Sequence, residues 1–238
     1  LWRVIDVLNI KWAWKLFMNQ FIVDSKSFKS WYQVEIRSTL HNLRLPILMA
    51  LIFVIVSFFL GVDQINSFNI PLSETGLANL NENLDVILKA FPVGALLPVL
   101  GIFWQNFRVL LLALLLGGIS FGILGVLPLF ASLGVVGYLM SLLSVNGISS
   151  ATYLIGFILP HGIIEIPAAV IATAAVLRAG ALLATPDPEN TIGEVWIKAT
   201  ADWFQVTLGV VVPMLLLAAC IEAWFTPRIA IWLLSILG

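Results

Sequence analysis

In the stretch Leu159-Pro160-His161-Gly162-Ile163-Ile164-Glu165-Ile166-Pro167-Ala168-Ala169, a histidine and a glutamate stand four residues apart in apolar surroundings. On a helix that spacing puts both side chains on one face. Burying a charged group in hydrocarbon costs about 2.5–3.5 kcal/mol on insertion scales. The pair must therefore satisfy groups on neighbouring helices or bind something. Asn106, Arg108 and Glu222 pose the same question, each within or beside an apolar run.

Three chemistries fit these five residues. In a buried polar network, the five donors of Arg108 would pair with Glu165 or Glu222, and Asn106 and His161 would satisfy the remainder. Such networks fix which helices pack together. In a metal site, His161, Glu165 and Glu222 form the one-histidine, two-carboxylate set that zinc or iron accepts. That set would serve a metal-dependent intramembrane hydrolase. However, His-x-x-x-Glu is not His-Glu-x-x-His, no separate general base is evident, and Arg108 would oppose a cation. In a transport path, intramembrane ionisable groups carry protons or substrate. The network is the expectation, with no catalytic residue and no cofactor assigned. A divalent metal on His161, Glu165 and Glu222 is the alternative.

Composition sets the frame for these residues. The 238-residue chain is 61% hydrophobic and 11% charged, with a mean hydropathy of +1.04. Soluble domains carry about 25% charged residues, so this is an integral membrane protein. The formal net charge of −1 gives no argument for nucleic acid. Cys220 is the single cysteine, which excludes an internal disulfide framework and a multi-thiolate metal site. No cleavable signal peptide is expected. Segments with strand periodicity are missing, so the expected fold is all-α, a polytopic helical membrane protein.

Two parts are expected along the chain. Residues 1–44 hold seven of the twelve basic residues, with Trp2, Trp12, Trp14, Trp31 and Tyr32 among them. They read as one or two amphipathic helices on the cytoplasmic membrane surface. Residues 45–238 read as the transmembrane domain, with about five spans. The first covers Leu45 to Val62, with Pro46 in its first turn. A polar external loop, 63–91, holds a short amphipathic helix marked by Leu77, Leu80, Leu84, Ile87 and Leu88. Val93–Phe103 reads as a re-entrant or external piece, and the second span as about Trp104 to Gly125. Gly118 and Gly122 would give that span a close-packing face. The third span covers about Leu129 to Leu143. A brief helix at 150–158 leads to Pro160, which opens a fourth span ending near Leu183. Ala168, Ala172, Ala175 and Ala179 line it. After an inner loop at 185–190 come a surface helix, 192–201, and a fifth span, Trp203 to Ile221. Ile229 to Leu237 is too short to cross and reads as interfacial, re-entrant or a truncated sixth span.

This topology starts the second and fourth spans outside and ends the fifth there. Asn106, Arg108, His161, Glu165 and Glu222 then all fall in the outer third of the membrane. The convergence depends on residues 93–103 and 150–158 not spanning.

The sequence also resembles a known family. Leu159-Pro160-His161-Gly162-Ile163-Ile164-Glu165-Ile166-Pro167-Ala168 is similar to a signature of the stage II sporulation protein M family. So are Ala218-Ala219-Cys220-Ile221-Glu222-Ala223-Trp224-Phe225-Thr226-Pro227 and Phe103-Trp104-Gln105-Asn106. The resemblance covers about Phe53 to Pro227. It implies a membrane anchor and scaffold for peptidoglycan-degrading partners in spore formers, and does not imply a sporulating source. It supplies no catalytic residues. A short, charge-free link follows Ser144-Val145-Asn146-Gly147, and no loop function is carried over there.

The combined expectation is a non-enzymatic multi-pass subunit of the cell membrane with a cytoplasmic N-terminus. It would anchor or assemble a cell-envelope or transporter complex. Its partners would be the lipid bilayer and other membrane or envelope proteins, such as an ABC-type transporter or peptidoglycan-remodelling proteins, or further copies of itself. A metal-dependent hydrolase or a transport protein using His161, Glu165 and Glu222 is the alternative.

Overall fold

Long uncharged runs leave the backbone only intrahelical partners in lipid. The computed structural model describes residues 14–15, 17–18, 36–64, 89, 91–145, 147–185 and 190–237, and no strand occurs among them. Helix α1 spans Arg37–Asn42, α2 Arg44–Asp63, α3 Leu96–Ile119 and α4 Leu127–Val145. Helix α5 spans Ser150–Ala184 and α6 Ile192–Trp224. Helix α7, Thr226–Leu237, closes the chain. The five long helices, α2 to α6, are long and apolar enough to cross a membrane. Most of the expected surface helices in 1–44, the expected loop helix at 77–88 and loop residues 186–189 lie outside the described residues.

Two glycine–proline pairs explain why α5 and α6 are so long. A helical proline withdraws one hydrogen bond and crowds the carbonyl four residues earlier. Gly156 occupies that position before Pro160, and Gly209 occupies it before Pro213. A π-helical turn falls on each glycine, at Leu154–Ile158 and Thr207–Val211. The wider turn absorbs the proline without ending the helix. The expected break at 158–160 is therefore corrected, and so is that at 201–203, where α6 runs on uninterrupted. Residues 150–158 continue into the fourth span, and 192–201 continue into the fifth. The first turn of α5 is capped by Ser149, which accepts from the Thr152 N–H. A capping box of Thr191 and Glu194 starts α6.

The second span is also corrected at both ends. Val93–Phe103 is not a separate re-entrant piece, because α3 begins at Leu96 and runs unbroken. Pro98 sits in its first turn, where a missing N–H costs no helical bond. The helix stops at Ile119, and Phe121 and Gly122 then take left-handed backbone with φ of 52° and 87°. Gly122 thus lies in the turn after α3, so it does not share a helix face with Gly118. Helix α7 has 12 residues, or about 18 Å at ~1.5 Å per residue, which is short of a ~30 Å hydrocarbon core.

The chain divides into two compact units, and each long helix contributes to both. The first draws on Leu1–Ile52, Val109–Leu129 and Ala168–Pro213. At its centre is Trp203 of α6, fully buried. Its indole donates to the Ala172 carbonyl of α5 at 3.2 Å. Ala168, Ala172 and Ala175 are buried, as the expected small-residue stripe requires. Beside them Arg178 and Asp202 form an ion pair at 3.3 Å. Phe204 meets Trp203 edge-on at 5.1 Å and Phe17 at 6.0 Å. Gly122 lies against Gly180 of α5, where a Cβ on Gly180 would overlap the Phe121 carbonyl.

The second unit draws on Phe53–Arg108, Phe130–Pro167 and Met214–Gly238. Here α2 and α4 meet backbone to backbone. A Cβ on Gly61 would overlap the Gly134 carbonyl, and one on Gly137 would overlap the Phe58 carbonyl. Two hydroxyls tie the same helices: Ser57 donates to the Phe130 carbonyl, and Ser141 donates to that of Val62 at 3.0 Å. Helix α7 packs near the π turn of α5, where Gly156 leaves room for Ala230 and Leu233.

Candidate functional site

The sequence-expected polar residues fall on three helices of the second unit. Helix α5 presents His161 and Glu165, one turn apart, from the segment just after its π turn. Helix α6 presents Glu222 near its end, and α3 presents Asn106. Small residues bring α3 and α6 together. Val99 of α3 is buried with Ala219 and Ala223 of α6. The end of α6 is also tied to the segment entering α3, because Trp224 donates its indole N–H to the Ala95 carbonyl at 3.1 Å. Arg228 of α7 donates to the carbonyls of Phe91 and Trp224. This fastening holds Glu222 and Asn106 toward α5.

His161, Glu165 and Glu222 each offer one ligand atom, and these atoms lie within 4.8 Å of one another. All three residues are half-buried. His161 Nε2 stands 3.9 Å from Glu165 Oε2, beyond the usual 2.7–3.2 Å of an N–H···O hydrogen bond. That Oε2 is buried and has no hydrogen-bond partner. Asn106 of α3 is close enough to the Glu165 carboxyl to act on it electrostatically. Two carboxylates ~5 Å apart repel by about 3 kcal/mol at an effective dielectric of ~20. A cation between them, or a shared proton, relieves that repulsion.

The histidine's other nitrogen is also engaged. His161 Nδ1 is 3.3 Å from Thr226 Oγ1 of α7, and the Thr226 hydroxyl donates to the Ile221 carbonyl at 3.4 Å. With the hydroxyl proton on Ile221, Thr226 accepts from Nδ1–H; with it turned to the ring, Nδ1 accepts. This contact fixes the imidazole and turns Nε2 toward the two carboxylates.

Arg108 is where the structure departs from the expected network. Its side chain is exposed, and no ion pair joins it to Glu165 or Glu222 among the described residues. The reason is helical geometry. Arg108 follows Asn106 by two residues, about 200° of rotation, so the two residues face opposite sides of α3. Four further residues were not singled out from sequence. Thr226 stands in a family-signature stretch with no contact assigned to it, although a hydroxyl directly after Ala223-Trp224-Phe225 and before Pro227 is an ordinary capping signal. Arg228 was missed as the fastener of α7, and Arg178 and Asp202 were missed as a pair. The last two contacts join distant segments, and no local pattern announces them.

An all-α architecture with five membrane-length helices and a polar cluster within them defines a helical membrane protein. The chain belongs to the stage II sporulation protein M family, whose family model, described as "Stage II sporulation protein M", matches residues 47–227. Every residue of the cluster lies inside that match, as does Thr226. A search of curated proteins finds similarity to an uncharacterized protein of Methanocaldococcus jannaschii. The two are 28% identical over 196 residues, which cover 81% of this chain and 100% of that relative. No solved structure matches the chain.

Proposed function

We propose that this protein is a non-enzymatic membrane subunit that anchors or assembles a cell-envelope or transporter complex. The observation that carries this reading is the contact between α2 and α4. Gly61 and Gly137 bring the two backbones together with no room for a Cβ, and Ser57 and Ser141 bond across the seam. Helices joined this way do not slide past one another without breaking the contact, which suits a fixed subunit better than a carrier with moving gates.

The opposite side of α2 suits a partner. Ten large apolar residues of α2 are exposed, among them Leu45, Leu48, Ile52, Ile55 and Phe59, a broad apolar face open to lipid or to a partner helix that associates through packing. Candidate partners are an ABC-type transporter, peptidoglycan-remodelling proteins or a second copy of the chain. The test is isolation at native expression after cross-linking in the membrane, followed by mass spectrometry. A partner, or a second copy, recovered in fixed ratio supports the subunit reading. A chain recovered alone from intact membranes contradicts it.

In this reading the N-terminus is cytoplasmic. Residues 1–44 hold seven basic residues, whereas the 63–91 segment holds only Lys89, and basic segments stay inside. A cysteine at Ser27 should resist an impermeant thiol reagent added to intact cells and react after permeabilisation. Labelling from outside would invert the topology.

A further inference from the structure

We infer that His161, Glu165 and Glu222 bind a divalent transition metal of the zinc class, which ties α5 to α6. The inference is independent of the partner's identity, because the cation would join helices of this chain whatever it assembles with.

Four observations lead to it. The ligand atoms of one imidazole and two carboxylates lie within 4.8 Å of one another, and this is a donor set that zinc takes. Second, His161 Nδ1 lies against the Thr226 hydroxyl, an available acceptor for Nδ1–H, and Nε2 faces the Glu165 carboxylate. Metal-ligating histidines are held this way, with the other ring N–H donated outward.

Third, the 3.9 Å between Nε2 and Glu165 Oε2 is too long for a hydrogen bond. Donor atoms on a tetrahedral zinc with bonds of about 2.1 Å are ~3.4 Å apart, which is closer to the spacing seen. Fourth, Glu165 Oε2 is buried with no hydrogen-bond partner, so its acceptor capacity is left for a cation or proton. The sequence argument against a cation was Arg108. Its side chain is exposed and forms no ion pair with either carboxylate, so that objection falls.

The competing state is a proton shared between the two carboxyl groups, and metal loading separates the two. The full chain, purified in detergent, is stripped with chelator, reloaded with Zn²⁺ and desalted, and its metal content and melting temperature are measured. About one zinc per chain is expected, with a higher melting temperature that chelator reverses. His161→Ala and Glu222→Gln should lose the zinc and the zinc-dependent rise. Either variant could misfold, so Thr226→Val supplies a second measurement. It alters no ligand and should weaken zinc about 10–100-fold, as loss of an outer partner does. Loading with Co²⁺ should give the visible absorption of a low-coordinate site in the wild type and a weakened one in Thr226→Val. A folded wild type that takes up no zinc after loading would overturn the proposal. So would zinc bound equally by His161→Ala, or Thr226→Val binding zinc as tightly as wild type.

Discussion

Gly61→Leu should largely abolish folded protein. A Cβ at this position would run into the Gly134 carbonyl, which is backbone in a helix and cannot rotate away. Overpacking a tight site costs about 1–3 kcal/mol, occasionally more. Here α2 and α4 would have to separate, which would also break the Ser57 bond to Phe130 and the Ser141 bond to Val62. A loss of at least ~3 kcal/mol is therefore expected. Gly101→Leu on α3 is the control. The same atom there meets nothing within 4 Å, so the longer side chain enters open space and folded yield should hold. Size-exclusion profiles and melting curves in one detergent compare the two. Equal behaviour would mean that α2 and α4 do not meet as described.

The second large effect is expected at Trp203. The residue is fully buried, and its indole bonds the Ala172 carbonyl at 3.2 Å. Truncating a buried Trp to Ala typically costs about 3–5 kcal/mol, through lost contacts and the cavity left behind. Trp203→Phe keeps most of the ring and loses the bond, so it should cost less, roughly 1–2 kcal/mol. Trp232 of α7 is 61% exposed, and Trp232→Ala should change stability little. Thermal unfolding of the three variants should rank Trp203→Ala well below the others. If Trp203→Ala matched Trp232→Ala, the packing of α5 on α6 through the alanine stripe would be wrong.

These two sites show what the sequence can and cannot say. The five apolar runs were legible from composition alone, because hydrocarbon permits only helices there. His161 and Glu165 were legible as a facing pair from their spacing, and Glu222 joined them as expected. The close-packing faces were partly legible. The alanine stripe of α5 packs as read. The closest backbone contact instead lies at Gly61 of α2, four residues after Ser57, and at Gly134 and Gly137 of α4. Both spacings stand in the sequence but had no partner to point to.

Continuity was misread at two places: Pro160 reads as the first turn of a new helix, and 192–201, which carries Glu194 and Lys198, reads as a surface helix separate from the span at Trp203. Pro160 and Pro213 each follow a glycine by four residues, and a π turn at that glycine carries the helix through. Pro167, with Ile163 in that position, sits inside ordinary α-helix. Arg108 was misassigned for a different reason. Depth along the helix was counted and rotation around it was not, although a two-residue step from Asn106 already turns the side chain away. Thr226 escaped notice because its partner, His161, lies 65 residues earlier.

The account rests on a subunit that works with its helices held fixed, and locking them tests it most directly. Ser141 Oγ lies 3.0 Å from the Val62 carbonyl, so cysteines at Val62 and Ser141 are close enough to join with a short, reducible cross-linker. In cells that depend on the chain, the locked protein should recover the same cross-linked partner as the unlocked one. It should also support the same growth, with or without reductant. Loss of function on locking, restored by reductant, would contradict the account and show a protein that moves α2 against α4 as it works.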